Sequence, residues 1–357
     1  MSVKHKIFGS TFNTFRSKDI KNNLVTFIVD DNESFMSSFV YIKDEFEKNG
    51  DFEFFFFNKN NLSIKNLKKL SKSKYIFLND NFVAMAYMDF HPDTIITQLW
   101  HAPGAFKKFG ASNNDDKNEI DLIKKSNEKV TYLINTSKNI SKFYEEAFQI
   151  DKSKIKSFGI PRMDYYFKNH KNLREKFDEK YPIAKGKKII LYTPTFRNNK
   201  EDNNIFNFLD LDEFNKHLGQ EYILALRLHP KIREFYKNDI HSKYDYVNVS
   251  DYESEQELLL ISDLLISDYS SVVVEFATLN KPIILFTYDF DRYLNDDRGF
   301  YFDFKKDAPG SIVSSSEELI YTIENNLFEN DNSKFLESQF DYIDGEASQR
   351  IVELLLN

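Results

Sequence analysis

Leu264-Leu265-Ile266-Ser267-Asp268-Tyr269-Ser270-Ser271-Val272-Val273-Val274-Glu275 is the stretch on which the fold turns. An apolar run breaks into small hydroxyl residues and then resumes, with a carboxylate four positions after Ser271. A buried strand running into a helix N-terminus has this pattern, because short hydroxyl side chains and free backbone N–H groups meet there. Such a junction either caps a helix and does nothing more, or presents donors that hold a phosphate. The segment predicts a strand over 264–267 and a helix over 272–279.

The same alternation extends outward in both directions. Apolar strand-length runs occur at 24–29, 52–57, 75–78, 95–100 and 131–134, with helical spacing over 33–48, 62–71 and 137–147. In the second half, strands are expected at 188–192, 222–228, 264–267 and 282–286. Helices are expected at 209–218, 253–261 and 272–279, and the mostly polar 316–326 and 333–356 read as helical. Strands alternating with helices predict an α/β protein with parallel sheets covered on both faces. A chain of 357 residues is long for a single core. The Lys- and Glu-rich stretch between Phe167 and Lys188 is the expected connection, giving an N-terminal α/β domain over 1–175 and a C-terminal one over 176–357. Two doubly wound Rossmann-type domains facing across a cleft would gather the carboxyl ends of both sheets around one ligand, the GT-B-like arrangement.

Composition narrows the function classes. The chain is 41% hydrophobic and 16% aromatic, which suits packed domains rather than disorder. A net charge of −8 argues against a nucleic-acid partner bound by the chain as a whole. With no cysteine there is no disulfide, thiol nucleophile or cysteine-ligated metal. Residues 1–21 lack the apolar core of a signal peptide, and the longest apolar runs fall far short of the roughly 20 residues of a membrane helix. A cytoplasmic location is expected, with docking at a membrane surface left open. His91, His170, His217 and His241 show no zinc-ligand spacing and read as surface residues. No Walker-type or dinucleotide-binding glycine motif is present.

Four further segments follow predicted strands, where such folds place ligands. In Trp100-His101-Ala102-Pro103-Gly104-Ala105, His101 is either a general base or a histidine satisfied by a loop carbonyl. Gly104 and its small neighbours let backbone approach a ligand. In Gly159-Ile160-Pro161-Arg162-Met163-Asp164, Arg162 suits paired phosphate oxygens, or else pairs with Asp164 or a carboxylate of the other domain. In Tyr192-Thr193-Pro194-Thr195-Phe196-Arg197, Thr195 either offers its hydroxyl and amide to a diphosphate or caps a strand exit. In Arg227-Leu228-His229-Pro230, residues two apart on a strand project together, so Arg227 and His229 suit a pyrophosphate whose bridging oxygen must leave. Capping of the sheet edge is the competing reading.

In this order and spacing the five segments resemble the CDP-glycerol glycerophosphotransferase family of teichoic-acid biosynthesis. Ser267 to Ser271, Pro282, Tyr288-Asp289 and Arg298-Gly299-Phe300-Tyr301 carry the likeness, with Gln98-Leu99-Trp100-His101 and Arg227-Leu228-His229-Pro230. The resemblance implies transfer of glycerol phosphate, or a related polyol phosphate, from CDP-glycerol to a hydroxyl of a lipid-linked saccharide, releasing CMP. It implies His101 and His229 as catalytic. It implies donor contacts from Ala102, Pro103, Gly104, Ala105, Arg162, Pro194, Thr195, Arg227, Ser270 and Ser271. The resemblance also implies Glu275 as a donor contact: it stands where the family usually has Asp, its longer side chain would reach a ribose or glycerol hydroxyl, and the change opens the choice of donor, CDP-ribitol included. His101-Ala102-Pro103-Gly104-Ala105 is closer to the primase-like members than to the polymerases, and the short length agrees.

On this basis the unprotonated His101 would deprotonate the acceptor, while Arg227 and His229 stabilise the departing CMP and Ser270, Ser271 and Arg162 hold phosphate oxygens. Protein donors suffice without a metal, and magnesium on the diphosphate is left open. The rival expectations are a sugar-nucleotide glycosyltransferase or epimerase of the same fold and a non-catalytic scaffold. A lipid-linked acceptor implies a peripheral position at the inner face of the cell membrane, where Lys65, Lys68, Lys69, Lys72 and Lys74 could meet anionic headgroups or form a solvated face.

Overall fold

Parallel pairing accounts for the alternation along the chain. The computed structural model describes residues 3–16, 19–30, 36–197, 203–229, 232, 246–296, 299–329 and 331–357; Pro230, His241 and Arg298 lie outside these. The strands are β1 (Lys21–Val29), β2 (Glu53–Asn58), β3 (Ser73–Leu78), β4 (Ile95–Gln98), β5 (Tyr132–Asn135) and β6 (Ile155–Ser157). They continue as β7 (Lys188–Thr193), β8 (Tyr222–Leu226), β9 (Tyr246–Asn248), β10 (Leu264–Ser267), β11 (Ile283–Phe286) and β12 (Ser311–Val313). Among the described residues they form two six-stranded sheets, ordered β2-β1-β3-β4-β5-β6 and β12-β11-β10-β7-β8-β9, with every pairing parallel. Each order reverses direction once, between β1 and β3 and between β7 and β10. In open α/β sheets such reversals are where strand-end loops part to admit ligands.

The central strands are buried on both faces, which is why they read as continuous apolar runs rather than alternating ones. In the first sheet Phe27 packs against Phe39, Phe54, Phe56 and Phe77 with ring centroids 5.0 to 6.3 Å apart. Several helix starts follow side-chain caps: Ser254 accepts from the Glu257 amide, Asp210 from Glu213 and Ser315 from Glu318.

The chain divides into one unit made of Met1–Phe167 with Ser338–Asn357 and a second made of Lys168–Glu337. This corrects the expected partition at 175/176 in two ways. The switch falls at Phe167, ahead of a polar helix, Leu173–Lys180, that hides in a Lys- and Glu-rich stretch because Phe177 is its buried residue. The C-terminal stretch belongs to the first unit rather than the second. The helix expected over 333–356 is broken into Ser333–Gln339 and Ala347–Leu356. Gly345 lies in the break at φ 77°, where an added Cβ would come within 2.6 Å of the Phe167 Cβ.

Asp164 fastens the last helix to the first unit. Its carboxylate accepts from the amides of Ala347 (3.0 Å) and Ser348 (2.9 Å) and from the Ser348 hydroxyl. Ile351, Val352 and Leu355 then pack into the core that holds Val25, Phe27, Phe39 and Phe77. Burial raises the Asp164 pKa against the pull of these hydrogen bonds. The helices Val3–Thr14 and Lys117–Asn127 and the three-residue strands β6, β9 and β12 have no counterpart in the sequence reading. A three-residue strand is too short to display a period.

Candidate active site

In the second unit, β7 and β10 lie side by side with Thr193 opposite Ser267. The Ser267 hydroxyl donates to the Thr193 carbonyl at 2.9 Å. Beyond this step the chain leaves β7 as Pro194-Thr195-Phe196-Arg197 and β10 as Asp268-Tyr269-Ser270-Ser271, at the reversal in strand order. Asp268, fully buried, accepts from the Thr195 amide (2.9 and 3.0 Å), the Thr195 hydroxyl (2.5 Å) and the Tyr269 amide (2.6 Å). Thr195 was expected to aim its hydroxyl and amide at a diphosphate; both are directed at Asp268 instead.

Arg197 completes this network. Its Nη2 donates to Asp268 at 2.9 Å and to Asp289 at 3.1 Å, its Nε to Asp289 at 2.6 Å and its Nη1 to the Thr195 carbonyl at 2.6 Å. The guanidinium also lies 5.0 Å from the ring centroids of both Tyr269 and Tyr293. Burial opposes its charge, but Asp268 and Asp289 outweigh burial and raise its pKa. The Tyr269 hydroxyl donates to Asp289 at 3.0 Å; burial first, then the two carboxylates, pushes this phenol well up. Three loops, from β7, β10 and β11, are thus tied at one point. The sequence carried a signal for it: a charged residue just past each of three strands.

The helix after Ser271 is shorter than expected, Val272–Ala277, and wholly buried, Glu275 included. Ser271 makes no side-chain capping bond, and the Ser270 hydroxyl accepts weakly from the Val272 amide at 3.4 Å. Both serines are partly exposed, whereas Pro194 is buried. Glu275, expected as a donor contact, is buried within this helix.

Strand β8 ends at Leu226, so Arg227 and His229 are not carried by strand geometry as expected. The Arg227 amide still pairs with the Tyr192 carbonyl at 2.9 Å. Its Nη1 donates to the carbonyls of Val249 (3.2 Å) and Tyr252 (3.1 Å), and its Nε lies 3.7 Å from Glu255. His229 is exposed, with its ring 5.9 Å from that of Phe196.

In the first unit, the loop after β4 is built to hold a histidine. β4 stops at Gln98, two residues short of expectation, because the Gln98 side chain accepts from the Trp100 amide at 2.9 Å and donates to the Asp80 carbonyl at 3.1 Å. Trp100 turns with φ 60°, a left-handed conformation rare for so bulky a residue and typical of sites whose surroundings enforce strain. The His101 ring then lies tilted against Trp100, ring centroids 4.0 Å apart, with Nδ1 3.1 Å from the Asn79 carbonyl. A carbonyl only accepts, so Nδ1 carries the proton and Nε2 is the basic nitrogen of the neutral ring. Burial lowers the His101 pKa and outweighs the opposing effects of Asp80 and the Asn79 carbonyl. Lys59 neutralises part of that neighbourhood by bridging Asp80 (2.9 Å) and Asp30 (3.2 Å).

The rest of the loop is pinned from below. The Gly104 amide donates to Thr136 at 3.1 Å and the Ala105 amide to the Gln339 side chain at 2.8 Å. The Tyr144 hydroxyl reaches the carbonyls of Ala102 (3.3 Å) and Gly104 (3.0 Å). Pro103, Gly104 and Ala105 are buried, and Ala102 is partly exposed. Arg162 approaches from the same unit, its Nη1 3.4 Å from the His101 carbonyl. Thr136, Tyr144 and Gln339 had no place in the sequence reading, since nothing local marks a residue that supports a distant loop.

Two all-parallel, doubly wound sheets with polar loops at their strand ends make this a GT-B-like α/β protein. Residues 10–357 match the model of the family described as CDP-glycerol:poly(glycerophosphate) glycerophosphotransferase, and the chain belongs to that family. It is 34% identical to the teichoic acid poly(ribitol-phosphate) polymerase of Bacillus spizizenii strain W23, over 98% of this chain and 59% of the relative. It is 32% identical to the teichoic acid glycerol-phosphate primase of Bacillus subtilis strain 168, over 82% of this chain and 76% of that protein. The fold matches that of the wall teichoic acid polymerase TagF with a TM-score of 0.79 at 23% identity, covering 99% of this chain and 93% of the other. No helix among the described residues is long and apolar enough to cross a membrane.

Proposed function

We propose that the protein transfers a polyol phosphate from a CDP-activated polyol to a hydroxyl of a lipid-linked saccharide, in wall teichoic acid or related polymer synthesis. His101 carries this reading: its Nδ1 proton is committed to a backbone carbonyl, which makes Nε2 the basic nitrogen of the neutral ring and the atom suited to take a proton. The acceptor oxygen attacks the β-phosphorus and its proton passes to His101 Nε2. The bond to the bridging oxygen breaks, and CMP leaves with the electron pair. Ser270, Ser271, His229 and the Arg227 guanidinium are proposed to hold the diphosphate, with Thr195 and Pro194 shaping their loop, and Arg162 is proposed as a further phosphate contact. Glu275 is proposed as a further donor contact. Protein donors carry the charge, so turnover should persist in a chelator; its loss would instead assign magnesium to the diphosphate.

The deciding assay is CMP release from CDP-glycerol and CDP-ribitol, with and without a synthetic lipid-linked disaccharide. Disaccharide-dependent release supports the proposal, and silence with both donors overturns it. Turnover of a UDP-sugar would favour a sugar-nucleotide enzyme, and donor binding without release a scaffold.

A second reading concerns the product. The loop His101-Ala102-Pro103-Gly104-Ala105 favours a primase that adds one glycerol phosphate, whereas alignment of 98% of the chain with a poly(ribitol-phosphate) polymerase favours repeated addition of ribitol phosphate. Product length separates them: one unit per acceptor, or a ladder. Peripheral binding at the inner membrane face would follow from a lipid-linked acceptor. Lys69 is already paired with Glu53 at 2.8 Å and Lys74 with the Asp93 carbonyl at 3.0 Å. Liposome sedimentation with these lysines reversed in charge tests whether the remaining cluster contributes.

A further inference from the structure

Three consecutive backbone carbonyls at the exit of β3 are each taken by a different group from the exit of β4. Leu78 accepts from the Leu99 amide at 2.6 Å, Asn79 from His101 Nδ1 at 3.1 Å and Asp80 from the Gln98 side-chain amide at 3.1 Å. The first bond continues the parallel pairing that sets Leu78 opposite Gln98. Beyond it, side chains rather than main chain join the two loops. The imidazole makes one of those bonds and Gln98 the other.

Gln98 is 1% exposed, and both ends of its amide are used. While Nε2 donates to the Asp80 carbonyl, Oε1 accepts from the Trp100 amide at 2.9 Å. That second bond falls on the residue with the left-handed backbone, φ 60°. A bulky residue keeps such a conformation only where its surroundings over-determine it. The indole is held separately, with ring centroids 5.3 Å from Phe109 and 5.1 Å from Phe148. Ring packing places the indole, and the Gln98 oxygen sets the direction of the peptide amide. The chain then delivers His101 against Trp100 with Nδ1 at the Asn79 carbonyl. A glutamine that only capped β4 would bind its own loop. Gln98 binds both loops, one residue after the acceptor of the His101 proton and one residue before His101 itself.

We infer that Gln98 is a positioning residue for His101: it ties together the two loops that hold the ring, and so fixes the imidazole proton on Nδ1 and makes Nε2 the basic nitrogen. The inference rests on the role proposed above for His101 and adds what selects its tautomer. Gln98 touches no reacting atom. Without it the ring is released from the Asn79 carbonyl, the proton distributes over both nitrogens, and a smaller fraction of the protein has Nε2 ready to accept a proton.

The test uses the full chain with two variants. Gln98→Met keeps the length of the side chain and removes both bonds, and Gln98→Glu keeps an acceptor for the Trp100 amide but loses the donor to Asp80. Side-chain 15N spectra of histidine-labelled protein, assigned with His101→Gln, read the tautomer directly at about pH 8, above the ordinary histidine pKa. Wild type should show a protonated Nδ1 and an unprotonated Nε2, Gln98→Met a mixture of the two tautomers, and Gln98→Glu a smaller admixture. The kcat of Gln98→Met should fall about 10- to 100-fold, with donor KM within about 2-fold, since the buried amide reaches only backbone. A folded Gln98→Met protein that keeps the wild-type imidazole spectrum overturns the role, whatever its stability. If that variant does not fold, an unchanged spectrum in Gln98→Glu overturns it instead. A wild-type His101 with its proton on Nε2 overturns it without any variant, and so does a donor KM that rises while kcat holds. If the wild type releases no CMP from either donor, the functional reading fails by itself, and the imidazole spectra still decide this one.

Discussion

Arg197 and Asp268 form a buried ion pair at 2.9 Å, with side chains 2% and 0% exposed, joining the loops that follow two neighbouring strands. Asp289 closes the cluster from a third strand end at 2.6 Å. One guanidinium thus serves two buried carboxylates, and the loops of the second unit cannot move independently while it does.

Removing the cation should be costly. Arg197→Ala leaves two buried carboxylates without their cation, a loss of about 3–5 kcal/mol. Arg197→Lys keeps the charge but cannot bridge both carboxylates with one planar fork, so it should recover only part of that. Denaturant midpoints of the three proteins check the order, and equal midpoints would show that the cluster adds nothing to stability.

Thr195 separates positioning from donor contact. Its hydroxyl is committed to Asp268, so Thr195→Val should destabilise by about 1–3 kcal/mol by leaving a buried carboxylate short of a partner. Thr195→Ser should restore both stability and turnover. If Thr195→Val instead raises the donor KM at unchanged stability, the hydroxyl meets the donor directly.

For His101, replacement by Ala should lower turnover by about 100-fold or more in a folded protein. The pH profile carries a signed expectation. Burial disfavours the imidazolium and depresses the pKa, and the base must be neutral, so activity should hold on the acid side until the pH falls below the ordinary histidine value of about 6.5. Stability follows the same sign. The unfolded chain takes up this proton first, so folding weakens as the pH falls through 6.5, and His101→Gln should flatten that slope. An acid limb above 6.5 would exclude His101 as the base.

Asp164 predicts a local effect. Asp164→Ala leaves the first amides of Ala347–Leu356 without their acceptor, at a cost of about 2 kcal/mol. Hydrogen exchange should show the C-terminal helix losing protection before β1 and β3. Uniform loss across the first unit would mean that the helix unfolds only with the whole.

Much of the fold was legible because it is written in local periods. Leu264–Ser267 was expected at its observed bounds, and the strands around Leu24, Tyr75 and Lys188 within a few residues. Errors gathered where a side chain overrides the pattern, as Gln98 does in ending β4. They gathered also where an element is too short or too polar to show a period. Of the expected site residues, His101 with its loop and Arg162 are brought together in the first unit. Thr195 joins Asp268 near Ser270 and Ser271 in the second. Arg227 is turned onto backbone carbonyls, and Glu275 is enclosed in its helix.

By itself the sequence determined the α/β alternation and the polar breaks at the ends of the strands. Both depend only on which residues within a few positions can be buried together. The tertiary structure decided that β10 lies beside β7, that Arg197 meets Asp268 and Asp289, and that the final helix returns to the first unit through Asp164. Those outcomes depend on sheet order and on contacts between residues 71 to 184 positions apart, for which no local period exists.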